Sequence, residues 1–218
     1  DQLALTGKFN TGTIKHKFNV GAEYNDQESN KGSYTTTYPG YAGTTTGGFN
    51  SDCKINDAWC TSLTNPNSKE EWLGTAVANR NTTTTTTKVT SVYLLDNIEF
   101  NPQWLLDLGL RWDKFDTEQV TNATGAKLEN NKDFFTYQAG LTFKPVENGS
   151  IYASYATSAN PVGVDGGDGS EAIGQAYMDL KPEEARTIEL GTKWDLFNDR
   201  LNLTAAIFRT EKQNTRIQ

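Results

Sequence analysis

The sequence is poor in the residues on which enzymes and helical membrane proteins depend. Histidine occurs once, at His16, methionine once, and cysteine twice in 218 residues. With a single imidazole, no Ser/His/Asp or Cys/His set can be assembled, so the chain is not expected to be an enzyme. The two cysteines, Cys53 and Cys60 in "CKINDAWC", lack the C-x-x-C spacing of zinc sites and lie far from His16. Six intervening residues suit a small loop closed by a disulfide, which implies an oxidising compartment. No metal site and no cofactor is expected. Basic residues are also scarce: 20 Lys and Arg stand against 27 Asp and Glu, for a net charge of -7. A nucleic-acid partner, which needs a basic face, is thereby excluded. No stretch approaches the roughly 18 consecutive apolar residues of a membrane-spanning helix, and mean hydropathy is -0.64. A β-barrel survives this test, because alternating strands average to a polar mean. Aromatic residues, at 11%, exceed what a disordered chain carries.

The termini lack the usual signals too. "DQLALTGKFN" has neither an initiator methionine nor a charged-then-apolar leader, and "KQNTRIQ" closes the chain in polar sequence just after a strand-like run. The chain is therefore read as a mature product or, in preference, as an internal piece of something larger.

What is present is alternation with a period of two, the strand period. In "WLLDLGLRWD", Trp104, Leu106, Leu108, Leu110 and Trp112 alternate with Asp107, Gly109, Arg111 and Asp113. "FTYQAGLTFK", "TIELGTKWDL" and "IKHKFNVGAEY" repeat the pattern, with shorter echoes in "LALTGKF", "IYASYA" and "LNLTAAI". "KVTSVYLLDNIEF" is longer and less regular. About eight strands and no helix are expected, an all-β fold.

The connections alternate in length. "NTGT", "NPQ", "PVENGS" and "NDR" are short and rich in turn formers, whereas residues 25–84, 116–132 and 158–182 form long links. Along antiparallel strands, this puts every short turn at one end and every long loop at the other. Soluble sandwich strands run about 5–6 residues, whereas transmembrane barrel strands need about 9–11. Aromatics bracket the apolar faces: Trp104 with Trp112, Phe135 with Phe143, and Trp194 with Phe197 at the short-turn end. Two aromatic girdles around an aliphatic band suit a bilayer, and the polar face suits a watery lumen. The expected fold is an antiparallel transmembrane β-barrel with short periplasmic turns and long extracellular loops. Eight strands could close a small barrel. However, the chain does not end on an aromatic strand, and a first link of about 60 residues is large for a minimal barrel. A segment of a wider barrel fits better.

Three hairpins carry a family resemblance. "SVYLLDNIEFNPQWLLDLGLRWDKFD", "FTYQAGLTFKPVENGSIYASYATS" and "LKPEEARTIELGTKWDLFNDRLNLTAAIFRTEKQNTR" resemble, in order, successive hairpins of the TonB-dependent outer-membrane siderophore receptors. "SANPVGVD" and "FRTEKQNTR" are most similar to its receptors for catecholate iron complexes. The resemblance implies a barrel of about 22 strands in the bacterial outer membrane, filled by a separate plug domain. Residues 1–218 would be part of the barrel domain, with the plug and the final strands not present. The implied function is uptake of a ferric siderophore energised through TonB, which would act on the absent plug, with outer-membrane lipid around the wall.

A ferric catecholate complex is anionic and aromatic, so charge-assisted bonds, stacking and cation–π contacts would recognise it. The candidates on the long-loop side are Tyr34, Tyr38, Tyr41, Trp59, Trp72 and Arg80 from the first link, and Tyr177 and Lys181 from the third. "NPVGVDGGDG", residues 160–169, matches neither a phosphate-binding G-x-G-x-x-G nor a calcium loop, although Asp165 and Asp168 are potential ligands. It is read as a glycine-rich extracellular loop. Asp107, Arg111 and Asp113 are read as lumen-lining charges that pair or are hydrated, and His16, on the apolar register, as an interfacial residue. Two other readings stay open from the residues: a small complete outer-membrane barrel with a structural or adhesive role, and a soluble β-sandwich binding module.

Overall fold

The computed structural model describes residues 1–37, 64–66, 68–69, 75–161 and 180–215. Ten strands occupy them: β1 (Gln2–Thr11), β2 (Ile14–Lys31), β3 (Tyr34–Thr37), β4 (Thr75–Ala78), β5 (Thr83–Asn101), β6 (Trp104–Thr121), β7 (Ala126–Val146), β8 (Gly149–Asn160), β9 (Glu183–Leu196) and β10 (Leu201–Gln213). Eight form one antiparallel sheet in the order β1-β2-β5-β6-β7-β8-β9-β10, while β3 and β4 make a separate hairpin within the link from β2 to β5. Each main strand pairs with its neighbour in sequence, and β1 and β10 form the edges. The all-β expectation holds, as a curved wall belonging to a wider barrel.

Register makes the two faces chemically distinct. Leu5, Val20, Leu94, Leu110 and Tyr137 line up across five strands on the outward side. One residue along, Ala4, Gly21, Tyr93, Arg111 and Thr136 line up on the inward side. A slip of one residue would exchange the two rows, so the sorting of side chains pins the pairing. The outward aliphatics are not packed into a core: Leu94 is 49% exposed and Ile188 57%. Among the described residues, the only side chain below 2% exposure is that of Ser91. Apolar groups outside and a serine inside invert the order of a soluble domain, and hydrocarbon must supply what a core would otherwise provide.

The girdles form as expected. At the short-turn end Trp104 packs on Phe143, with ring centroids 4.6 Å apart, and Phe9 stacks on His16 at 4.4 Å. At the other end Trp112 lies opposite Phe135, and Tyr137 stacks on Tyr155 at 5.8 Å. Eight residues separate Trp104 from Trp112, roughly 20 Å at usual strand rise and tilt, close to the apolar band of an outer-membrane barrel. Short turns close the lower end. Asn101 Oδ1 accepts the backbone N–H groups of Gln103 and Trp104 at 2.9 and 3.0 Å, and Phe197, Asn198 and Asp199 adopt positive φ of 57, 56 and 64°.

One expected loop is absent. Residues 116–132 continue the β6–β7 hairpin to the pair Thr121 and Ala126, closed by residues 122–125 with Gly125 at φ 70°. Above the bilayer the outward face is charged and the inward row of Thr87, Thr117 and Asn130 is polar although buried, so the strand loses the apolar alternation by which it was sought. Of the consecutive threonines 82–87, all but the first also join a strand, since β5 begins at Thr83. A second irregularity lies between β7 and β8, whose pairing stops at Gln138 and Ala156. There the Thr157 hydroxyl accepts the Tyr137 N–H at 2.9 Å and donates to the Tyr137 carbonyl at 3.2 Å.

Candidate functional site

The inward face carries two clusters built to one plan. In the upper one Gly21 lies opposite Tyr93, and a Cβ on Gly21 would sit 2.5 Å from the phenol. Only glycine lets the ring lie flat against the backbone here. The Arg111 guanidinium stands 5.8 Å over the ring, donates to Glu23 at 2.7 Å through Nη2, and donates to Asp113 at 2.9 Å through Nε. Ser91 donates to Asp113 at 2.5 Å, and Gln2 to Glu23 at 3.0 Å. Asp113 is 5% exposed, so its charge depends on these donors. Beside the cluster lies a groove of ≈ 390 Å³.

In the second cluster Gly191 lies opposite Tyr152, whose ring likewise occupies the space a Cβ would need. Tyr152 donates to Glu189 at 2.5 Å, and Lys193 Nζ stands 5.3 Å over the ring. A groove of ≈ 480 Å³ opens here, between Asp107 and Gln138 on one side and Glu189 and Lys193 on the other. Both clusters give a tyrosine face, a carboxylate and a cation, all directed inward. Such groups hold or pass a charged solute by hydrogen bonds and cation–π contact. Asp107, Arg111 and Asp113 are wall charges with partners, as read from the sequence, Asp107 accepting from Asn97 at 2.6 Å.

His16 faces outward among aromatics, as expected, and its Nδ1 meets Asp96 Oδ2 at 2.8 Å. Asp96 was not anticipated. Above the bilayer, the hydrogen bond from Lys127 to Glu118 at 2.7 Å lifts the lysine pKa above its ordinary value.

Of the candidate ligand residues, Tyr34, Arg80 and Lys181 are described. Tyr34 heads β3, 71% exposed, and pairs with Ala78 on β4. Arg80 follows two residues after Ala78, with its carbonyl accepting the Thr82 N–H at 3.0 Å, so one hairpin stem carries both residues. Lys181 is exposed at the entry to β9, separated from β5 by β6, β7 and β8 in the sheet. Tyr38, Tyr41, Trp59, Trp72 and Tyr177 lie outside the described residues, as do Cys53, Cys60, Asp165 and Asp168. The tyrosine clusters were missed in the sequence. Their trace is a glycine two residues from a glutamate on the polar register, as in Gly21 with Glu23 and Glu189 with Gly191.

Known proteins match this architecture along its length. The family described as "TonB dependent receptor-like, beta-barrel" matches residues 1–217. The probable TonB-dependent siderophore receptor PiuA of Acinetobacter baumannii is 56% identical over 100% of the chain, and the chain covers 30% of it. The catecholate siderophore receptor Fiu of Escherichia coli K12 is 28% identical over 98% of the chain, which covers 29% of it. The crystal structure of PiuA superposes with a TM-score of 0.86 over 100% of the chain and 32% of the receptor. The closed form of Fiu, 24% identical, shares the fold with a TM-score of 0.75 over 97% of the chain and 30% of that receptor. The chain thus spans about 30% of the length of the curated relatives it matches. These relatives are receptors rather than enzymes. A family match from one end to the other, on a wall with lipid outside and charge inside, places this chain in the TonB-dependent receptor family, as part of its outer-membrane β-barrel.

Proposed function

We propose that the whole protein imports a ferric siderophore across the outer membrane, energised through TonB, with residues 1–218 forming part of its barrel domain. In this reading the plug domain and the remaining strands belong to the rest of the protein. The supporting observation is the 56% identity, across the entire chain, to a protein named as a siderophore receptor. The inward face agrees with it, offering fixed charges and aromatic faces to a solute while its outside meets lipid.

The siderophore class is proposed to be catecholate, following the similarity to Fiu, which is named for that chemistry. Tyr34 and Arg80, together on the β3–β4 stem, would hold the anionic aromatic complex by cation and ring contacts, with Lys181 contributing from the β9 side. Tyr38, Tyr41, Trp59, Trp72 and Tyr177 complete the proposed ligand set.

The test is uptake of ⁵⁵Fe in iron-starved cells that lack other catecholate receptors and carry the full-length gene. Iron complexed by 2,3-dihydroxybenzoate should enter in tonB⁺ cells and fail to enter without TonB. Arg80→Ala should weaken binding roughly tenfold to a hundredfold, as expected for losing one charge-assisted contact. Uptake confined to hydroxamate complexes would overturn the catecholate assignment. No TonB-dependent uptake of any ferric siderophore would overturn the function.

A further inference from the structure

Toward the short turns the inward face becomes basic, although the chain carries a net charge of -7. Lys8 lies directly opposite Lys17 in the β1–β2 ladder, and Lys15 follows on the same face of β2. Lys15 pairs with Glu99 at 2.8 Å, and Lys144 stands two residues beyond Thr142 at the short-turn end of β7. Lys193, in line with Ser150, extends the row across β8 and β9. All these lysines are exposed. Asp107, in line with Lys17 through Asn97, and Asp195, two residues beyond Lys193, stand among these lysines without cancelling them. Higher on the same face the balance is acidic, with Glu23 and Asp113 around Arg111 and Glu189 beside the second groove.

Pairing among the described strands does not explain this collar of lysines. Like charges directly opposite in a ladder destabilise it, and among the described residues Lys8 and Lys17 make no ion pair. Lipid headgroups do not explain it either, because these side chains share the inward face with Glu99, Tyr93 and Tyr152, opposite to the lipid-facing row. A concentration of one charge on a concave wall focuses the field and raises the local concentration of counter-ions.

We propose that Lys8, Lys15, Lys17, Lys144 and Lys193 form a transient site for a polyanionic iron chelate at the inner mouth of the barrel. The site draws the complex from the acidic middle of the wall toward the short-turn exit. It acts after capture at the long-loop end, and it rests on the uptake function proposed above.

The test uses the full-length receptor in cells, with ⁵⁵Fe(III)–2,3-dihydroxybenzoate as probe and two readouts: equilibrium binding without metabolic energy, and TonB-dependent uptake. The charge-reversed receptor K8E/K17E/K144E should bind within twofold of the unsubstituted protein and import at least tenfold more slowly. K8R/K17R/K144R should import normally. K8Q/K17Q/K144Q removes the repulsion between Lys8 and Lys17 without adding a charge, so its folding is not burdened, and it should import about threefold more slowly. Normal import by the reversed and neutral variants overturns the collar. Binding lost in parallel with import also overturns it, since the lysines would then dock an acidic part of the protein rather than passing cargo. Failure of the unsubstituted receptor to bind or import the probe overturns the uptake function, and the collar with it.

Discussion

Strand β6 passes through two environments, and its halves are built differently. In the lower half Trp104, Leu106, Leu108, Leu110 and Trp112 face outward, while Asp107, Arg111 and Asp113 face inward into a network spanning β2, β5 and β6. In the upper half the outward positions are Lys114, Asp116 and Glu118, tied only to near neighbours by pairs such as Lys114 with Asp116 at 3.0 Å. The lower half has lipid on one side and a low-dielectric wall behind its charges, so each polar group there needs a partner. The upper half has water outside and a buried polar row of Thr87, Thr117 and Asn130 inside, and its outward ion pairs, 40% to 57% exposed, compete with solvation. The same backbone ladder therefore carries a tightly coupled charge network on its inward face below and an interchangeable outward surface above.

The largest test of this contrast is Arg111→Met in the full-length receptor. It leaves Asp113, 5% exposed, without its cation. Breaking a fully buried pair costs about 3–5 kcal/mol. Because the Arg111 side chain is 35% exposed, a loss of about 2–3 kcal/mol is expected from urea unfolding of the detergent-refolded protein. A loss under about 0.5 kcal/mol would erase the contrast. Next comes Gly21→Ala, whose methyl meets the Tyr93 ring and should destabilise by about 1–2 kcal/mol. A double-mutant cycle with Tyr93→Ser should recover most of that loss, and additive effects would show that the glycine serves some other purpose. The smallest effect belongs to the upper half. Glu118→Gln should leave the melting curve at neutral pH unchanged within about 2 °C, as for an exposed pair. Glu118 raises the pKa of Lys127, so whatever the amine contributes is present below pH 10.5 and lost as pH rises through the raised value. The two proteins should still superimpose at pH 7, and a clear separation there would show that the upper pair is structural.

The same contrast governs how much could be read from the sequence. Where lipid sorts side chains, alternation reveals strand, face and girdle together, and Trp104 to Trp112 were legible for that reason. Where both faces are polar, "KFDTEQVT" carries no such sorting, and the strand was taken for a loop. The tyrosine clusters failed to show for another reason. Gly21 and Tyr93, or Tyr152 and Glu189, meet only through strand register, which depends on cooperative pairing rather than on any local motif. Asp96 was hidden in the same way, being 80 residues from His16. Tyr34 and Arg80 could be singled out by type, but their shared stem required β3 and β4 to pair.

The interrupted pairing of β7 and β8 has a consequence for how the wall exchanges protons with solvent. Tyr137 directs its N–H toward β8, and so, by alternation, do Phe135, Asp133, Asn131, Glu129 and Lys127, whereas the even-numbered amides between them point to β6. Above Thr157 no described strand accepts from the first set. In deuterated buffer the upper part of β7 should behave like a comb in which every second tooth is protected, so that one strand displays both the rigid and the labile amides of the barrel.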